Sequence, residues 1–318
     1  MPAISVVMTV YNAEKFLDGS VRSILEQTFT GFEFIIVDDG STDRSVEIVR
    51  AYHDERIRFF PLAHAGRAAA LNFAVSQAVA PFIAIMDADD ISIPDRLELE
   101  YREIVKDQTI DIVGSSYQII DEKGDLIREK HLPESHTAIV DLMAVQSAVS
   151  FPSALIRKSI MQDAGMFDEK LAASVDYDFW LRILDRAKFC NVSASLVQYR
   201  TSRTSISSRF RQVQAQNSYE KAMHYLEKKY LNADGVEAKA KITLQLGRRE
   251  YYFGNMASAR NHFSKLLWNR SAMFIAWRYY IPSLLGGRIF RALRSAGIAD
   301  RIGSIFRKSS RNNDYFMP

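Results

Sequence analysis

Short apolar runs alternate with amphipathic segments through the first third of the chain. The apolar runs predict strands at residues 4–10, 33–37, 56–60 and 82–86, and the amphipathic segments predict helices at residues 16–26, 43–52, 66–79 and 94–106. Alternation of strand and helix at this spacing predicts an α/β fold, with a parallel sheet covered by helices on both faces. Ligands of such sheets bind beyond the carboxyl ends of the strands.

The pattern changes twice further along the chain. Strands are predicted at residues 112–120, 153–157 and 192–200, around a helix at residues 176–186. After residue 209 the strand signals disappear, and helices are predicted at residues 212–230, 238–253 and 257–267. We therefore expect a first domain of residues 1–208, with halves of about 1–107 and 108–208, and a helical C-terminal region of residues 209–318.

Composition changes this picture little. Hydrophobic residues make up 47% and charged residues 25% of the 318 positions, which is ordinary for a globular protein. The single cysteine, Cys190, excludes a disulfide within the chain. The first residues lack the basic and small-residue regions of a signal peptide, so none is expected. Arg278, Pro282 and Arg288 interrupt the most apolar late stretch, so no membrane span is expected either.

Charge is distributed unevenly, although the net charge is only +3. Residues 260–318 contain 11 Lys or Arg and two acids, whereas the first 259 residues contain 30 basic and 36 acidic residues. Apolar and basic side chains interleave in this tail at helical spacing: Phe274, Trp277, Tyr279, Tyr280, Leu284, Leu285, Ile289, Phe290 and Leu293 with Arg278, Arg288, Arg291 and Arg294. An asymmetry of this kind predicts that the tail meets something anionic.

The partner of the basic tail remains open among three alternatives. An amphipathic helix of this composition suits an anionic membrane surface. Packing against the first domain and a contact in a homo-oligomer are equally favoured. No recognised nucleic-acid-binding module accompanies the basic residues, so no nucleic-acid partner is expected.

An acidic cluster follows the fourth predicted strand directly. Asp87-Ala88-Asp89-Asp90 places three carboxylates within four residues, and these repel one another unless a cation or hydrogen-bond donors compensate. Oxygen ligands of this kind suit Mg²⁺ or Mn²⁺, with substrate phosphates completing the coordination. The alternative is a solvated acidic turn in which Asp90 caps the following helix.

A second acidic cluster, Asp38-Asp39-Gly40, follows the second predicted strand. Its carboxylates can accept hydrogen bonds from a nucleotide base or from ribose hydroxyls. The alternative is local Asx-turn chemistry, which an Asp-Gly pair favours. Because the carboxyl ends of parallel strands meet at one edge of a sheet, the two clusters together favour a functional site there.

Several segments, taken in order, resemble family 2 glycosyltransferases over about the first 205 residues. They are residues 4–12 (ISVVMTVYN), 23–28 (SILEQT), 37–43 (VDDGSTD), 87–90 (DADD), 94–97 (PDRL) and 176–182 (DYDFWLR), with Gly66, Ala70, Asn72, Pro152, Ser153, Gly165, Phe167 and Asp168 between them. The resemblance implies a GT-A fold, which has a Rossmann-like, mostly parallel sheet with flanking helices. It also implies transfer of a sugar from a nucleotide-diphosphate donor to a hydroxyl acceptor.

The resemblance further implies roles for individual residues. The positions that match nucleotide-binding residues are Thr9, Tyr11, Glu14, Asp39, Arg67 and Asp87. Of these, Thr9, Tyr11 and Asp39 are expected at the base and Asp87 near the ribose. Asp89 matches the acid that coordinates a divalent metal, Mn²⁺ or Mg²⁺, on the donor diphosphate. Residues 1–107 are accordingly the expected nucleotide-binding half and residues 108–208 the acceptor half.

Asp176 matches the general base of the family. A carboxylate beside the acceptor hydroxyl removes its proton as the oxygen attacks the anomeric carbon in an inverting transfer, which contributes roughly 10²–10⁴-fold. The alternative role for Asp176 is a helix N-cap, because an amphipathic helix follows it. Asp178 is expected to be structural, bonded within the first turn or to a nearby arginine.

Two positions depart from the family pattern. Val175 stands where relatives commonly have Glu, and Ser202 stands where many have His after Tyr199-Arg200. A serine hydroxyl is a far weaker metal ligand than imidazole. The metal is therefore expected to depend on Asp89, phosphates and water, and to be held weakly without nucleotide.

Other classes of protein share parts of the pattern. A sugar nucleotidyltransferase would need a glycine-rich phosphate loop after the first strand, where residues 9–12 (TVYN) stand instead. A dinucleotide dehydrogenase would need G-x-G-x-x-G, which is absent. A non-catalytic binding protein of the same fold is disfavoured by the acids Asp39, Asp87, Asp89 and Asp176.

The resemblance also points to the substrates and the location. It favours a UDP-sugar donor and a saccharide or lipid-linked acceptor, in the synthesis of bacterial envelope polysaccharide, exopolysaccharide or glycolipid. The expected location is the cytoplasm, including the inner face of the membrane as a peripheral protein.

Overall fold

A computed structural model of the protein describes residues 1–201, 211–269 and 271–284. The chain divides into two compact units. The first consists of Met1–Met143 and Ser147–Gln214, and the second of Ala144–Gln146 and Ala215–Pro318. The domain boundary predicted after residue 208 lies outside the described residues and stays a prediction, and Ser202 and residues 285–318 of the basic tail also lie outside them.

The described part of the first unit contains nine strands in one sheet. The strands are β1 (Ile4–Val10), β2 (Phe32–Asp39), β3 (Ile57–Leu62), β4 (Phe82–Asp87), β5 (Ile91–Ser92), β6 (Ile112–Ile120), β7 (Leu126–Lys130), β8 (Leu155–Arg157) and β9 (Phe189–Arg200). The helices are α1 (Leu17–Leu25), α2 (Ser45–Arg50), α3 (Arg67–Gln77), α4 (Arg96–Lys106), α5 (His136–Met143), α6 (Lys158–Asp163) and α7 (Val175–Ile183), with a 3₁₀ turn at Phe151–Ser153.

The strand order is β3-β2-β1-β4-β8-β6-β9-β5, with β7 paired to β6. The first four strands run parallel to one another, which confirms the predicted parallel sheet for this part of the chain. Beyond β4 the sheet is mixed, because β8 runs antiparallel to both β4 and β6, whereas β9 runs parallel to β6. The long apolar runs correspond to the parallel part because its central strands are buried on both faces.

The central strands and the first helix form the hydrophobic core of this unit. Every residue of β2 is buried, and β1 has one partly exposed position, Thr9. Helix α1 adds Leu17, Val21 and Ile24, whose spacing places them on one helix face. This packing holds the strands firmly, and it therefore also holds the residues that follow their carboxyl ends.

A fully buried ion pair lies beneath the end of β4. Arg96 begins α4, and its Nε lies 3.1 Å from a carboxylate oxygen of Glu100, one turn further along the helix. The other arm of the guanidinium donates to the carbonyl oxygen of Ile85 at 2.9 Å, so Arg96 ties the helix to β4. Burial raises the pKa of Glu100 to about 7, against the opposing effect of Arg96.

Several elements differ from the sequence-based expectations. Four were not predicted, namely β5, β7, α5 and α6, because they are short or, in the case of β7, mostly exposed and without an apolar run. The strand expected at residues 153–157 is a 3₁₀ turn followed by the three-residue β8. Helix α4 begins at Arg96 rather than at residue 94.

The second unit is helical where it is described, as predicted. Its helices are α8 (Arg211–Leu231), α9 (Val236–Phe253), α10 (Met256–Ser264) and α11 (Met273–Ser283). Gly247 lets α9 and α10 approach closely, since a Cβ there would lie 2.6 Å from the ring of Phe263. None of the described helices combines the length and apolar character needed to cross a lipid bilayer.

Replacing Glu100 by Leu is expected to destabilise the protein by about 3–5 kcal/mol, because it leaves the buried Arg96 charge without its partner. The measurement is the free energy of unfolding from urea denaturation. Arg102→Leu at an exposed position of the same helix is the matched control and should change stability by about 0.5 kcal/mol or less. Equal losses in the two variants would contradict this account of the ion pair.

Candidate active site

The acidic clusters lie at one edge of the sheet, as their positions at strand ends predict. In the register of the parallel pairs, Val10 of β1 lies opposite Asp38 of β2, and Thr9 lies opposite Asp87 of β4. Tyr11, directly after β1, follows these pairs at the same edge. The structure therefore brings three of the predicted nucleotide-binding segments together, from strands that are far apart in the chain.

Asp39 holds the loop that precedes α3. Its buried carboxylate accepts hydrogen bonds from the backbone N–H groups of Ala65 at 2.7 Å and Gly66 at 3.1 Å. The ring Nδ1 of His64 lies 3.0 Å from the same carboxylate. Gly40 is required beside it, because its φ is +74° and a Cβ would lie 2.7 Å from the backbone N of His64.

Asp38 makes the local turn that the Asp-Gly sequence favours. Its carboxylate accepts the backbone N–H of Ser41 at 3.0 Å, and the side chain is buried. This bond is local, as the Asx-turn interpretation expects, but it reaches three residues along the chain rather than the two of an Asx turn. The neighbouring Asp39 instead bonds a distant loop, so the two adjacent acids have different surroundings.

Tyr11 and His64 form an aromatic pair at this edge. Their rings are stacked, with centroids 4.4 Å apart and planes 24° from parallel. Tyr11 nevertheless remains exposed. A tyrosine ring that is backed on one side and open on the other is a surface on which a planar base can stack.

Glu14 joins two loops at the same end of the sheet. Its backbone N–H donates to the carboxylate of Asp43 at 3.0 Å, and its own carboxylate accepts the backbone N–H of Arg44 at 3.0 Å. Asn12 supports the first loop in a left-handed conformation, with φ of +50°, and its side chain accepts the backbone N–H of Thr42. These bonds assign Glu14 a structural contact, and its contact with nucleotide stays a prediction.

One arginine lies among three predicted site acids. Arg67, the first residue of α3, donates to Asp87 at 2.5 Å, and its guanidinium lies 5.4 Å from the centre of the Phe151 ring. Burial by itself lowers the pKa of Arg67, but the negative charges of Asp87, Asp176 and Asp89 raise it above its ordinary value. The structure therefore unites the nucleotide, metal and base candidates around one cation.

The pKa of Asp89 is unusually high for a carboxylate. Burial and the charge of Asp87 raise its pKa to about 6, although Arg67 and Arg200 act in the opposite direction. A carboxylate with this pKa gains from a nearby cation, because the cation removes the electrostatic cost of ionisation.

The third acid of the cluster is structural. Asp90 is fully buried, and its carboxylate accepts the backbone N–H of Arg200 at 2.8 Å. Burial raises its pKa well above the ordinary value. The alternative in which Asp90 caps the next helix is wrong, since α4 begins six residues later, at Arg96, with Asp95 at the N-cap position.

Arg200 stabilises the acidic turn by bonding its backbone, a role that the sequence did not indicate. Its Nε donates to the carbonyl oxygen of Asp89 at 2.9 Å, and Nη1 donates to the carbonyl oxygen of Asp121 at 3.0 Å. The guanidinium also lies 4.7 Å from the centre of the Phe16 ring. The signals in the sequence were a basic residue at the end of the last strand and its place in the Tyr199-Arg200 pair of the family pattern.

Asp176 lies in the first turn of α7, and its carboxylate interacts electrostatically with Arg67. Burial raises its pKa, and Arg67 partly opposes this effect. The N-cap interpretation of Asp176 is wrong, because Ser174 occupies that position, in a left-handed conformation with φ of +61°. Asp178 is bonded to Arg182 at 2.8 Å, which confirms the structural role expected for it.

The donor set of the site fits a divalent cation only in part. Among the described residues, no group of three or more His, Cys, Asp and Glu side chains is placed to hold a metal. Asp87 and Asp89 supply hard oxygen ligands of the kind that Mg²⁺ and Mn²⁺ bind, but Arg67 already pairs with Asp87. The residues therefore fit a metal that takes most of its ligands from a bound diphosphate and water.

Solved structures of glycosyltransferases share this architecture. Staphylococcus aureus TarS residues 1–349, in complex with UDP-GlcNAc, superposes with a TM-score of 0.62 at 20% identity, over 98% of this chain and 93% of that one. The mannosyltransferase PcManGT of Pyrobaculum calidifontis, in complex with GDP-Man and Mn²⁺, gives a TM-score of 0.56 at 14% identity, over 98% and 88% of the two chains. The fold is therefore that of a GT-A glycosyltransferase, as predicted.

Sequence comparison identifies the family. The family described as Glycosyl transferase family 2 matches residues 5–165, just over half of the chain. An uncharacterised glycosyltransferase of Methanocaldococcus jannaschii is 36% identical over 238 residues, which are 72% of this chain and 81% of that protein. The Escherichia coli O-antigen biosynthesis glycosyltransferase WbnJ is 32% identical over 62% of this chain and 79% of its own length. The chain belongs to glycosyltransferase family 2 and is a transferase enzyme.

Replacing Arg200 by Met is expected to destabilise the protein by about 1–3 kcal/mol, because the carbonyl oxygens of Asp89 and Asp121 lose a charged donor. The measurement is the urea midpoint together with the m-value. Arg128→Met on the exposed strand β7 is the matched control and should leave the midpoint nearly unchanged. An Arg200 variant as stable as this control would refute the supporting role.

Proposed function

We propose that the protein is an inverting glycosyltransferase that moves a sugar from a UDP-sugar to a hydroxyl acceptor. The observation that carries the proposal is the pairing of Arg67 with Asp87 at the carboxyl edge of the parallel strands, within electrostatic range of Asp89 and Asp176. This is the edge at which ligands bind in α/β sheets. The crystallised complex of TarS with UDP-GlcNAc, a protein of the same fold, supports UDP as the nucleotide.

The donor nucleotide would lie on the residues that follow β1, β2 and β4. The exposed ring of Tyr11 stacks on the base, with His64 behind it. Asp39 accepts a hydrogen bond from the base in addition to those from its loop, and Thr9 and Glu14 line the same end of β1. Asp87 contacts the ribose, and Arg67 brings a positive charge to the nucleotide.

Asp89 would hold Mn²⁺ or Mg²⁺ on the donor diphosphate, with phosphate oxygens and water as the remaining ligands. When bound, such an ion neutralises the charge that develops on the departing diphosphate. The complex of PcManGT with GDP-Man and Mn²⁺ supports a divalent metal. Asp89 is suited to this role because its pKa of about 6 leaves it ionised at neutral pH, while burial makes that charge costly without a cation.

Asp176 would act as the general base. It accepts the proton of the acceptor hydroxyl as that oxygen attacks the anomeric carbon from the face opposite the diphosphate. A pKa raised by burial increases the affinity of the carboxylate for this proton, and Arg67 keeps the carboxylate ionised before the reaction. Its position in the first turn of α7 fixes the carboxylate against the rigid core.

The acceptor would be a saccharide or a lipid-linked saccharide of a cell-envelope polysaccharide. WbnJ is named for O-antigen biosynthesis, and Pasteurella multocida chondroitin synthase, 32% identical over 59% of this chain, is named for another polysaccharide. The chain spans 20% of the length of that synthase. The proposed location is the cytoplasmic face of the membrane, with a homo-oligomer as a further proposal.

Replacing Asp176 by Asn is expected to lower kcat by about 10²–10⁴-fold, because the amide does not accept the proton. The affinity for UDP should remain within about twofold of the wild type, since the substitution is nearly isosteric and acts on chemistry rather than on donor binding. The measurement is transfer or donor hydrolysis with UDP-sugars and Mn²⁺, with UDP affinity from calorimetry. Asp163→Asn, at an exposed position of α6, is the control; wild-type turnover in both variants would refute the assignment.

Metal binding is expected to weaken as the pH falls through about 6, by roughly tenfold per unit below that value, because the protonated form of Asp89 does not bind Mn²⁺. The sign follows from the raised pKa, since ionised Asp89 predominates only above it. The measurement is Mn²⁺ affinity by calorimetry with saturating UDP at several pH values. Asp89→Asn should bind weakly without this dependence on pH.

Weak retention of the metal is a further expectation for the protein without nucleotide. Dialysed protein should contain far less than one equivalent of metal, because Asp89 and Asp87 provide few ligands and Arg67 competes for the second of these. Elemental analysis before and after the addition of UDP and Mn²⁺ measures it. A stoichiometric metal in nucleotide-free protein would show that further protein ligands exist.

A further inference from the structure

Helix α11 has two opposite apolar faces. Ala276, Tyr279 and Ser283 are buried, and the Tyr279 ring stacks on Phe263 with centroids 5.5 Å apart. This buried face joins α11 to the core formed by α9 and α10. A helix that only had to cover this core would carry polar residues on its other side.

The other side of α11 is instead exposed and apolar. Phe274, Trp277, Ile281 and Leu284 are all exposed, with Phe274 at 78% and Leu284 at 58%. Their separations of three, four and three residues align them along one stripe of the helix. These four residues are called the exposed face of α11. Single exposed apolar side chains are ordinary, but a contiguous stripe of large ones marks an interaction surface.

The charge around this face indicates what covers it. Between residues 260 and 299 the sequence contains seven Lys or Arg and no acid. One of these, Arg278, lies on α11 beside the exposed face. A further apolar side chain, Trp268, is 87% exposed and precedes the helix in the chain. An apolar surface in a basic segment of the chain is complementary to an anionic partner.

We propose that the exposed face of α11 docks on an anionic lipid bilayer, with the helix lying in the plane of the interface. Tryptophan side chains favour the boundary between headgroups and acyl chains, and basic residues bind anionic headgroups. The described helices do not suit a membrane span, so the contact is with the surface. A second copy of the chain is a poorer occupant, because the two basic surfaces would repel one another.

This surface gives the proposed transferase a fixed place beside a lipid-linked acceptor, and that consequence rests on the proposed function. The docking itself does not depend on catalysis. The two proposals can therefore fail separately, since sedimentation with vesicles reports on docking and turnover of a soluble donor reports on chemistry.

The test uses the full chain and sedimentation with phosphatidylcholine vesicles, with or without phosphatidylglycerol. Wild type should bind the anionic vesicles at least about tenfold more tightly than the neutral ones, because both apolar burial and charge contribute. The triple variant Phe274→Ser, Ile281→Ser, Leu284→Ser should lose most of this binding. The matched control is Leu126→Ser, Ile127→Ser, which removes two exposed apolar side chains of β7 and should bind as wild type does.

Tryptophan fluorescence provides a second measurement of docking. The emission of the wild type should shift to the blue on anionic vesicles, because Trp268 and Trp277 leave water. Circular dichroism confirms that each variant is folded, and donor hydrolysis without vesicles confirms it for the α11 and β7 variants. Asp176→Asn should sediment as wild type does even if it is inactive. Equal binding by wild type and the triple variant, equal binding to both vesicle types, or a wild-type dimer that the triple variant abolishes would overturn the proposal.

Discussion

β1 pairs in parallel with β2 on one side and with β4 on the other, and the site depends on this pairing. The register places Asp38 opposite Val10 and Asp87 opposite Thr9, the last two residues of β1. Because both faces of these strands are buried, a slip by one residue would exchange the packing of the two faces and lose the core contacts. The apolar packing that stabilises the fold therefore also sets the relative positions of the acids, the aromatic pair and the loops between them.

Electrostatics at this edge is organised by two arginines. Arg67 interacts electrostatically with Asp87, Asp89 and Asp176. Arg200 instead donates a hydrogen bond to the backbone of the acidic turn. Burial raises the pKa values of Asp89 and Asp176, so the ionised site gains from added positive charge. In the proposed function, that charge comes from a metal ion bound together with the donor diphosphate.

The exposed surface of the helical unit needs a separate explanation. Its core is built from aromatic and aliphatic side chains of α9, α10 and α11, and it leaves a second apolar face of α11 exposed. A lipid-linked acceptor is confined to a surface, and an enzyme that binds the same surface meets it far more often than one free in solution. In the proposed docking, the basic residues between positions 260 and 299 provide the attraction and the exposed face of α11 provides the apolar contact.

The amino-acid sequence was enough to predict the parallel strands, the acidic edge and the family, because apolar periodicity and residues at strand ends are local properties. It did not determine the partners of Arg96, Asp39 or Arg200. Arg200 bonds residues about 110 positions earlier in the chain, and the fate of Asp90 and the N-cap of α7 also depended on contacts that no local pattern records. Burial depends on packing between segments that are remote in sequence. Which of several adjacent carboxylates face the open edge, and which are buried, was therefore visible only in the folded structure.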